Sequence, residues 1–129
     1  EGRGVFTASA VGAGSIVEVS PVLALRRDHV DAACAGMKYF FGGPDGDVLL
    51  CVLGFGMLYN HAKMILPEEL ARQNRASLGN FANLTYALHV APDAARDNRD
   101  GGVCVQFEAA RDIEEGEELL IDYSDRWWE

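Results

Sequence analysis

Short apolar runs separated by turn-forming residues set the pattern of this chain. Stretches rich in Val, Ile, Leu and aromatic residues are interrupted, roughly every ten positions, by Gly, Pro, Asn or Asp. Strands are predicted at Ser15–Leu25, Met37–Phe41, Val48–Leu53, Asn83–Val90, Val103–Ala109 and Leu119–Tyr123. A series of short strands of this kind indicates a mainly β domain.

Local signals add a helix, a bend and a hairpin to this pattern. The stretch Pro67–Gln73 predicts the clearest helix, because it opens on a proline followed by two glutamates, which suit the positive end of a helix dipole. Pro21 predicts a bend in the first long strand, since proline donates no hydrogen bond to a central ladder. Residues 83–109 predict a hairpin with a long tip.

Composition narrows the class of partner. The chain has 129 residues, which fits one domain, and 20 acidic against 11 basic residues give a formal net charge of −9. This balance disfavours a nucleic-acid backbone as the main partner and is compatible with a basic peptide. No stretch approaches the roughly 20 apolar residues that span a membrane, and no secretory signal pattern is visible.

The cysteines argue against a structural metal. Cys34, Cys51 and Cys104 are widely spaced and form no Cys-x-x-Cys or Cys-His cluster. A structural zinc site is therefore not expected. Thiols inside apolar runs suggest reduced cysteines in an intracellular protein.

A polar stretch follows the apolar run Val48–Leu53. Tyr59, Asn60 and His61 stand in a row at its end. An unpaired polar side chain is costly to bury. The pair Asn60–His61 is therefore exposed, fully hydrogen-bonded, or turned toward a ligand, and this stretch alone does not decide between them.

Three separated pieces of the chain together resemble the SET domain of protein-lysine methyltransferases. They are Gly2-Arg3-Gly4-Val5-Phe6, Tyr59-Asn60-His61 with Asn83, and Ala110-Arg111-Asp112-Ile113 through Gly116-Glu117-Glu118-Leu119 to Asp122-Tyr123. The pieces occur in the family's order, and the last is the most specific. The chain looks closest to the minimal, zinc-free members known from viruses and bacteria.

The resemblance implies one SET domain over residues 1–129, with an insertion at about residues 63–80 and no zinc-binding segment flanking it. The implied fold is a β-clip of short curved sheets around a C-terminal pseudoknot, with one or two short helices. The knot would bring Asn60 and His61 close to Tyr123. The implied cofactor is S-adenosyl-L-methionine, which becomes S-adenosyl-L-homocysteine, and no metal is implied.

The resemblance also implies a substrate and a location. A basic protein or peptide, such as a histone tail, would present its lysine through a narrow channel. No direct nucleic-acid or membrane contact is expected, and a homodimer is compatible with the family. The location would be intracellular: the nucleus or chromatin in a eukaryote, the cytoplasm in a bacterium.

Site residues carry over from the family position by position. The catalytic hydroxyls would be Tyr123 and Tyr86, and the cofactor would be held by Glu1, Gly2, Arg3, Gly4, Asn60, His61 and Trp128. Tyr39 and Trp127 would line the substrate channel.

Each of these residues also has a purely structural interpretation. A buried histidine at position 61 would only brace the knot, and Tyr123 or Tyr86 would be an ordinary core or sheet tyrosine. Phe55 and Leu58 are most simply core residues. Two other functions stay open at this point: a non-catalytic module that keeps the fold, and an acidic β-rich adaptor that binds basic peptides without a cofactor.

Overall fold

A computed structural model of the chain describes residues 3–31, 33–34, 39–42, 46–90 and 103–123. Its strands are β1 Ile16–Arg26, β2 Phe41–Gly42, β3 Val48–Val52, β4 Asn60–His61, β5 Leu84–Val90, β6 Val103–Ala109 and β7 Leu120–Ile121. Its helices are α1 Pro67–Leu70 and α2 Arg75–Leu78, and a 3-10 turn lies at Arg27–His29. The predicted mainly β class is confirmed.

The larger sheet has the strand order β2-β3-β1-β6-β5. β3 pairs antiparallel with β1, from Val22 opposite Val52 to Arg26 opposite Val48. β5 and β6 are neighbours, as the predicted hairpin requires, and its predicted tip at residues 91–102 lies outside the described residues.

Pro21 lies in β1, which is the middle strand of this sheet. A proline in a central strand is contrary to the expectation from the sequence. The register between β1 and β3 begins at Val22, one position after the proline. The Pro21 carbonyl accepts a hydrogen bond from the Leu53 nitrogen at 2.9 Å. The missing N–H group therefore falls just outside the β1–β3 register, and β1 continues through it.

The helix predicted at Pro67–Gln73 is shorter in the structure. α1 ends at Leu70, and a second turn, α2, begins after Asn74. The Asn74 side chain accepts a hydrogen bond from the Ser77 nitrogen at 3.0 Å, which makes it the N-cap of α2. The predicted helix therefore ends three residues before Gln73, and α2 is a separate helical turn beyond it.

The chain divides into two compact units, the first of residues 1–17, 59–86 and 107–129 and the second of residues 18–58 and 87–106. In the first unit the buried core centres on Tyr59 and Phe107, whose ring centroids are 4.8 Å apart. In the second unit Val22, Leu49 and Val52 are buried.

Phe55 and Leu58, expected in the core, are exposed. Phe55 has an exposed fraction of 58% and lies in the turn that follows β3. The Phe55 nitrogen donates to the Glu18 carboxylate at 2.9 Å, and Gly54 has a positive φ of 69°. Because the backbone of this turn is held by Glu18, its apolar side chains point outward.

Tyr39, which was expected within a strand at Met37–Phe41, lies outside the observed strand. The observed strand β2 begins only at Phe41, and Tyr39 precedes it as an exposed residue of the second unit. Residues 37–38 of the predicted strand lie outside the described residues.

Two edges of the last strand position the polar residues of the first unit. β7 pairs in parallel with β4, Asn60 opposite Leu120 and His61 opposite Ile121. On the other side, the Asn83 nitrogen donates to the Leu120 carbonyl at 3.1 Å. The predicted meeting of Asn60 and His61 with the segment that ends at Tyr123 is therefore observed.

Asn83 has an exposed fraction of 1%, and both polar atoms of its side chain bond to the backbone of residues 118–120. Its Nδ2 donates to the Glu118 carbonyl at 2.8 Å, and its Oδ1 accepts from the Leu120 nitrogen at 2.8 Å. The amide thus satisfies two backbone groups that bracket Leu119. In this role Asn83 is a structural pin.

We expect Asn83→Ala to destabilise the protein by roughly 2–4 kcal/mol, because it strands one buried N–H and one buried carbonyl group. Urea unfolding checks this value. Asn80→Ala, at an exposed position, is the matched control. Equal unfolding midpoints for the two variants would contradict the pinning role.

Candidate functional site

The Asn60 side chain bonds to Arg3, in the motif Gly2-Arg3-Gly4, and to Glu118, in the motif Gly116-Glu117-Glu118-Leu119. Its Nδ2 donates to the Arg3 carbonyl at 2.9 Å and to Glu118 Oε2 at 2.7 Å. These partners come from three distant parts of the sequence. Both N–H groups of the Asn60 amide are therefore hydrogen-bonded within the protein.

Gly4 lies against the same carboxylate. A Cβ at this position would stand 2.6 Å from Glu118 Oε2 and 3.1 Å from Asn60 Nδ2. The first distance is shorter than real Cβ contacts and the second is tight, so a side chain at position 4 would displace the Glu118 carboxylate. The backbone is tied nearby, since the Leu119 nitrogen donates to the Val5 carbonyl at 2.7 Å.

Tyr123 is held by the residues around β4. Its hydroxyl donates to the Tyr59 carbonyl at 2.6 Å, and its backbone nitrogen donates to His61 Nδ1 at 2.9 Å. Because Nδ1 accepts, the neutral His61 ring carries its proton on Nε2. The His61 side chain thus braces Tyr123, which is the structural role that the sequence allowed for it.

Tyr86 approaches the same segment from β5. Its hydroxyl donates to the Asp122 carbonyl at 3.2 Å, and its ring lies 6.1 Å from that of Phe107. Burial raises the pKa of the Tyr86 phenol above 10.0, and the negative charge of Asp122 raises it further. The hydroxyl is therefore protonated at neutral pH.

Asp122 connects these tyrosines to the segment of the two short helices. Its Oδ2 accepts from the Met64 nitrogen at 2.8 Å, and its Oδ1 lies 3.8 Å from His61 Nδ1. Its contacts are visible only in three dimensions.

Arg111 is a buried cation within the C-terminal motif, and the motif by itself assigns it no role. Its NH1 donates to Glu117 Oε2 at 3.0 Å and its NH2 donates to the Leu78 carbonyl at 3.1 Å. A buried guanidinium needs such partners. Arg111 therefore links Glu117, in the acidic stretch before β7, to Leu78 at the end of α2.

Several predicted site residues are not positioned by these contacts. Glu1, Gly2, Trp127 and Trp128 lie outside the described residues. Tyr39 belongs to the second compact unit. Their roles stay predictions.

Within the described ranges, no group of three or more His, Cys, Asp or Glu side chains could hold a metal ion. No helix in that part of the chain is long and apolar enough to cross a membrane.

Comparison with known proteins assigns this arrangement to a family. A family model described as the SET domain matches residues 2–124. The chain belongs to the SET-domain family. The resemblance to SET-domain protein-lysine methyltransferases that the motifs predicted is thus confirmed.

Solved structures with the same architecture support the fold of this SET domain. The crystal structure of a proposed histone methyltransferase from Plasmodium falciparum is similar, with a TM-score of 0.67 and 21% identity. The similarity covers 98% of this chain and 87% of that one. At this identity the likeness shows the fold. Curated protein sequences contain no match.

We expect this SET domain to lose stability in alkali partly through Tyr86. Because the folded-state pKa of Tyr86 is raised, its contribution to stability is complete below the unfolded value of 10.0 and is lost as pH rises through the folded value. Urea unfolding at increasing alkaline pH should show a shallower decline for Tyr86→Phe than for the wild type.

The exposed phenol of Tyr39 provides the control for this measurement. Tyr39→Phe should follow the wild-type decline. The assignment to Tyr86 is wrong if both variants follow the wild type equally.

Proposed function

We propose that this SET domain is an S-adenosyl-L-methionine-dependent protein-lysine N-methyltransferase. The observation that carries the proposal lies within the first compact unit. The Gly4 turn, Asn60 and Tyr123 meet there on neighbouring edges of β4 and β7. A cofactor turn and a channel tyrosine must meet in this way if a methyl group is to pass between them.

The residues around Asn60 fit the proposed cofactor. Gly4 leaves the turn without a side chain, and no described residue donates a hydrogen bond to Asn60 Oδ1. That oxygen is available to an N–H donor such as the ammonium group of the cofactor. When bound, S-adenosyl-L-methionine supplies an electrophilic methyl group on a sulfonium.

Further cofactor contacts are proposed from the resemblance to the family alone. These are Glu1 and Gly2 beside Arg3, the backbone of His61, and Trp128. The side chain of His61 acts through Tyr123, since its Nδ1 accepts from the Tyr123 nitrogen.

The substrate amine must be neutral to attack the methyl group, and free lysine has a pKa of about 10.4. Exclusion of water and nearby positive charge both lower that pKa. The tyrosines then orient the amine without adding charge. The proton of the Tyr123 hydroxyl is donated to the Tyr59 carbonyl, so what its oxygen offers an amine is a lone pair.

Tyr86 offers the same chemistry, because its proton is donated to the Asp122 carbonyl. Two such acceptors can hold the N–H groups of the amine and aim its lone pair along the line of transfer. Alignment of the reacting atoms then supplies much of the acceleration. Tyr39 and Trp127 are proposed to line the remainder of the channel.

The proposed substrate is a basic protein or peptide, with a histone tail as one candidate. The formal net charge of −9 favours encounter with a basic chain. The Plasmodium falciparum protein of similar fold is described as a proposed histone methyltransferase. An intracellular location, nuclear in a eukaryote, follows from such a substrate.

Calorimetric titration with S-adenosyl-L-methionine tests the cofactor, and radiolabelled methyl transfer to an array of basic peptides tests the reaction. Saturable one-to-one binding together with labelled peptides is the expected result. Binding without transfer to any peptide would favour a non-catalytic module. Peptide binding without cofactor binding would indicate an adaptor.

We expect Tyr123→Phe to slow methyl transfer by about tenfold to a hundredfold, or to change the number of methyl groups added, because one oriented hydrogen bond to the amine is lost. Single-turnover transfer and mass spectrometry of the peptide measure the two effects. Cofactor affinity should stay within about threefold of the wild type.

Glu115→Ala serves as the comparison, since Glu115 is exposed and has no proposed role in the transfer step. An unchanged rate and product for Tyr123→Phe would refute the catalytic role of its hydroxyl.

A further inference from the structure

The Glu118 side chain lies next to Asn60 and Gly4 in the site, and the sequence motifs assign it no role. Its Oε2 accepts from Asn60 Nδ2 at 2.7 Å, a short, charge-assisted hydrogen bond. The bond joins positions 58 residues apart.

The backbone of Glu118 is fixed on two sides. Its carbonyl accepts from Asn83 Nδ2 at 2.8 Å, and Phe6 and Glu118 form a backbone bridge. The Leu119 nitrogen next to it donates to the Val5 carbonyl at 2.7 Å. Because the backbone is held, the carboxylate is directed at Asn60 and Gly4.

This carboxylate determines which way the Asn60 amide faces. Both acceptors near the amide, the Arg3 carbonyl and Glu118 Oε2, require its NH₂ group. In the reversed orientation Oδ1 would face two oxygens and be repelled. Glu118 therefore helps to present Asn60 Oδ1 as an acceptor for a ligand.

The same carboxylate also explains the glycine at position 4. The nearest atom to an added Cβ is Glu118 Oε2, at 2.6 Å. Since this is the end of a flexible side chain, an alanine at position 4 would displace the carboxylate more readily than the backbone. Displacement would break the bond to Asn60.

We infer that Glu118 is a positioning residue of the cofactor pocket: it orients the Asn60 carboxamide, and it is the group that requires glycine at position 4. The inference rests on the proposed function and extends it to a residue that acts through Asn60. It assigns Glu118 to cofactor affinity and leaves the transfer step to the tyrosines.

The test compares Glu118→Ala, Glu118→Gln and Glu115→Ala. Glu115 is an exposed glutamate of the same turn, so its replacement removes the same charge. We expect Glu118→Ala to raise the calorimetric Kd for S-adenosyl-L-methionine about tenfold. Glu118→Gln, which keeps an acceptor oxygen, should recover most of the affinity, and Glu115→Ala should match the wild type.

Kinetics separates positioning from a general structural effect. For Glu118→Ala the KM for the cofactor should rise while kcat at saturating cofactor stays near the wild-type value. Thermal unfolding confirms that each variant is folded at the assay temperature. A fall in kcat with unchanged KM would overturn the assignment.

A double-mutant cycle tests the link to Gly4. Gly4→Ala should weaken cofactor binding in the wild-type background and have little further effect in the Glu118→Ala background. An equal loss in both backgrounds would overturn the explanation of Gly4, because room for the cofactor itself would then be the reason for glycine.

The outcomes distinguish this inference from the proposed function. If the wild type does not bind S-adenosyl-L-methionine, the proposed function fails. If the wild type binds it and Glu118→Ala behaves like Glu115→Ala, the role of Glu118 fails and the proposed function stands.

Discussion

Hydrogen bonds on both edges of β7 are the constraint on which the site depends. The strand has only two residues, Leu120 and Ile121, and a strand this short contributes little stability alone. It is held by parallel pairing with β4 and by the buried amide of Asn83. Because Glu118 precedes this strand and Tyr123 follows it, both inherit their positions from these bonds.

The tyrosine hydroxyls of the site and the carboxylates near them use different hydrogen-bond partners. The hydroxyls of Tyr123 and Tyr86 each donate to a backbone carbonyl, which leaves oxygen lone pairs as their contribution to an amine. The carboxylates of Glu118 and Asp122 bond to Asn60 and to the Met64 backbone. An amine that must lose its proton is better served by such neutral acceptors than by a nearby carboxylate, which would raise its pKa.

Asn83 reaches β7 across the segment that follows His61, which the resemblance interprets as an insertion. The Ala82 nitrogen donates to the Lys63 carbonyl at 2.9 Å, which closes the segment at its base. Arg111 holds the end of α2 at the Leu78 carbonyl. Additional loop length costs little free energy when its ends are tied in this way. The insertion is therefore compatible with the same strand contacts.

The sequence alone determined the elements that depend on neighbouring residues. The strands β3, β5 and β6 follow from local runs of apolar and β-branched residues, and the order of the motifs identified the family. Contacts between distant residues were decided only by the tertiary structure. Asn60 meets Arg3 and Glu118 across 57 and 58 positions, and the turn that carries the exposed Phe55 is held by a hydrogen bond from the Phe55 nitrogen to Glu18. A local pattern shows that a polar side chain needs a partner; which partner it finds depends on how the strands pair.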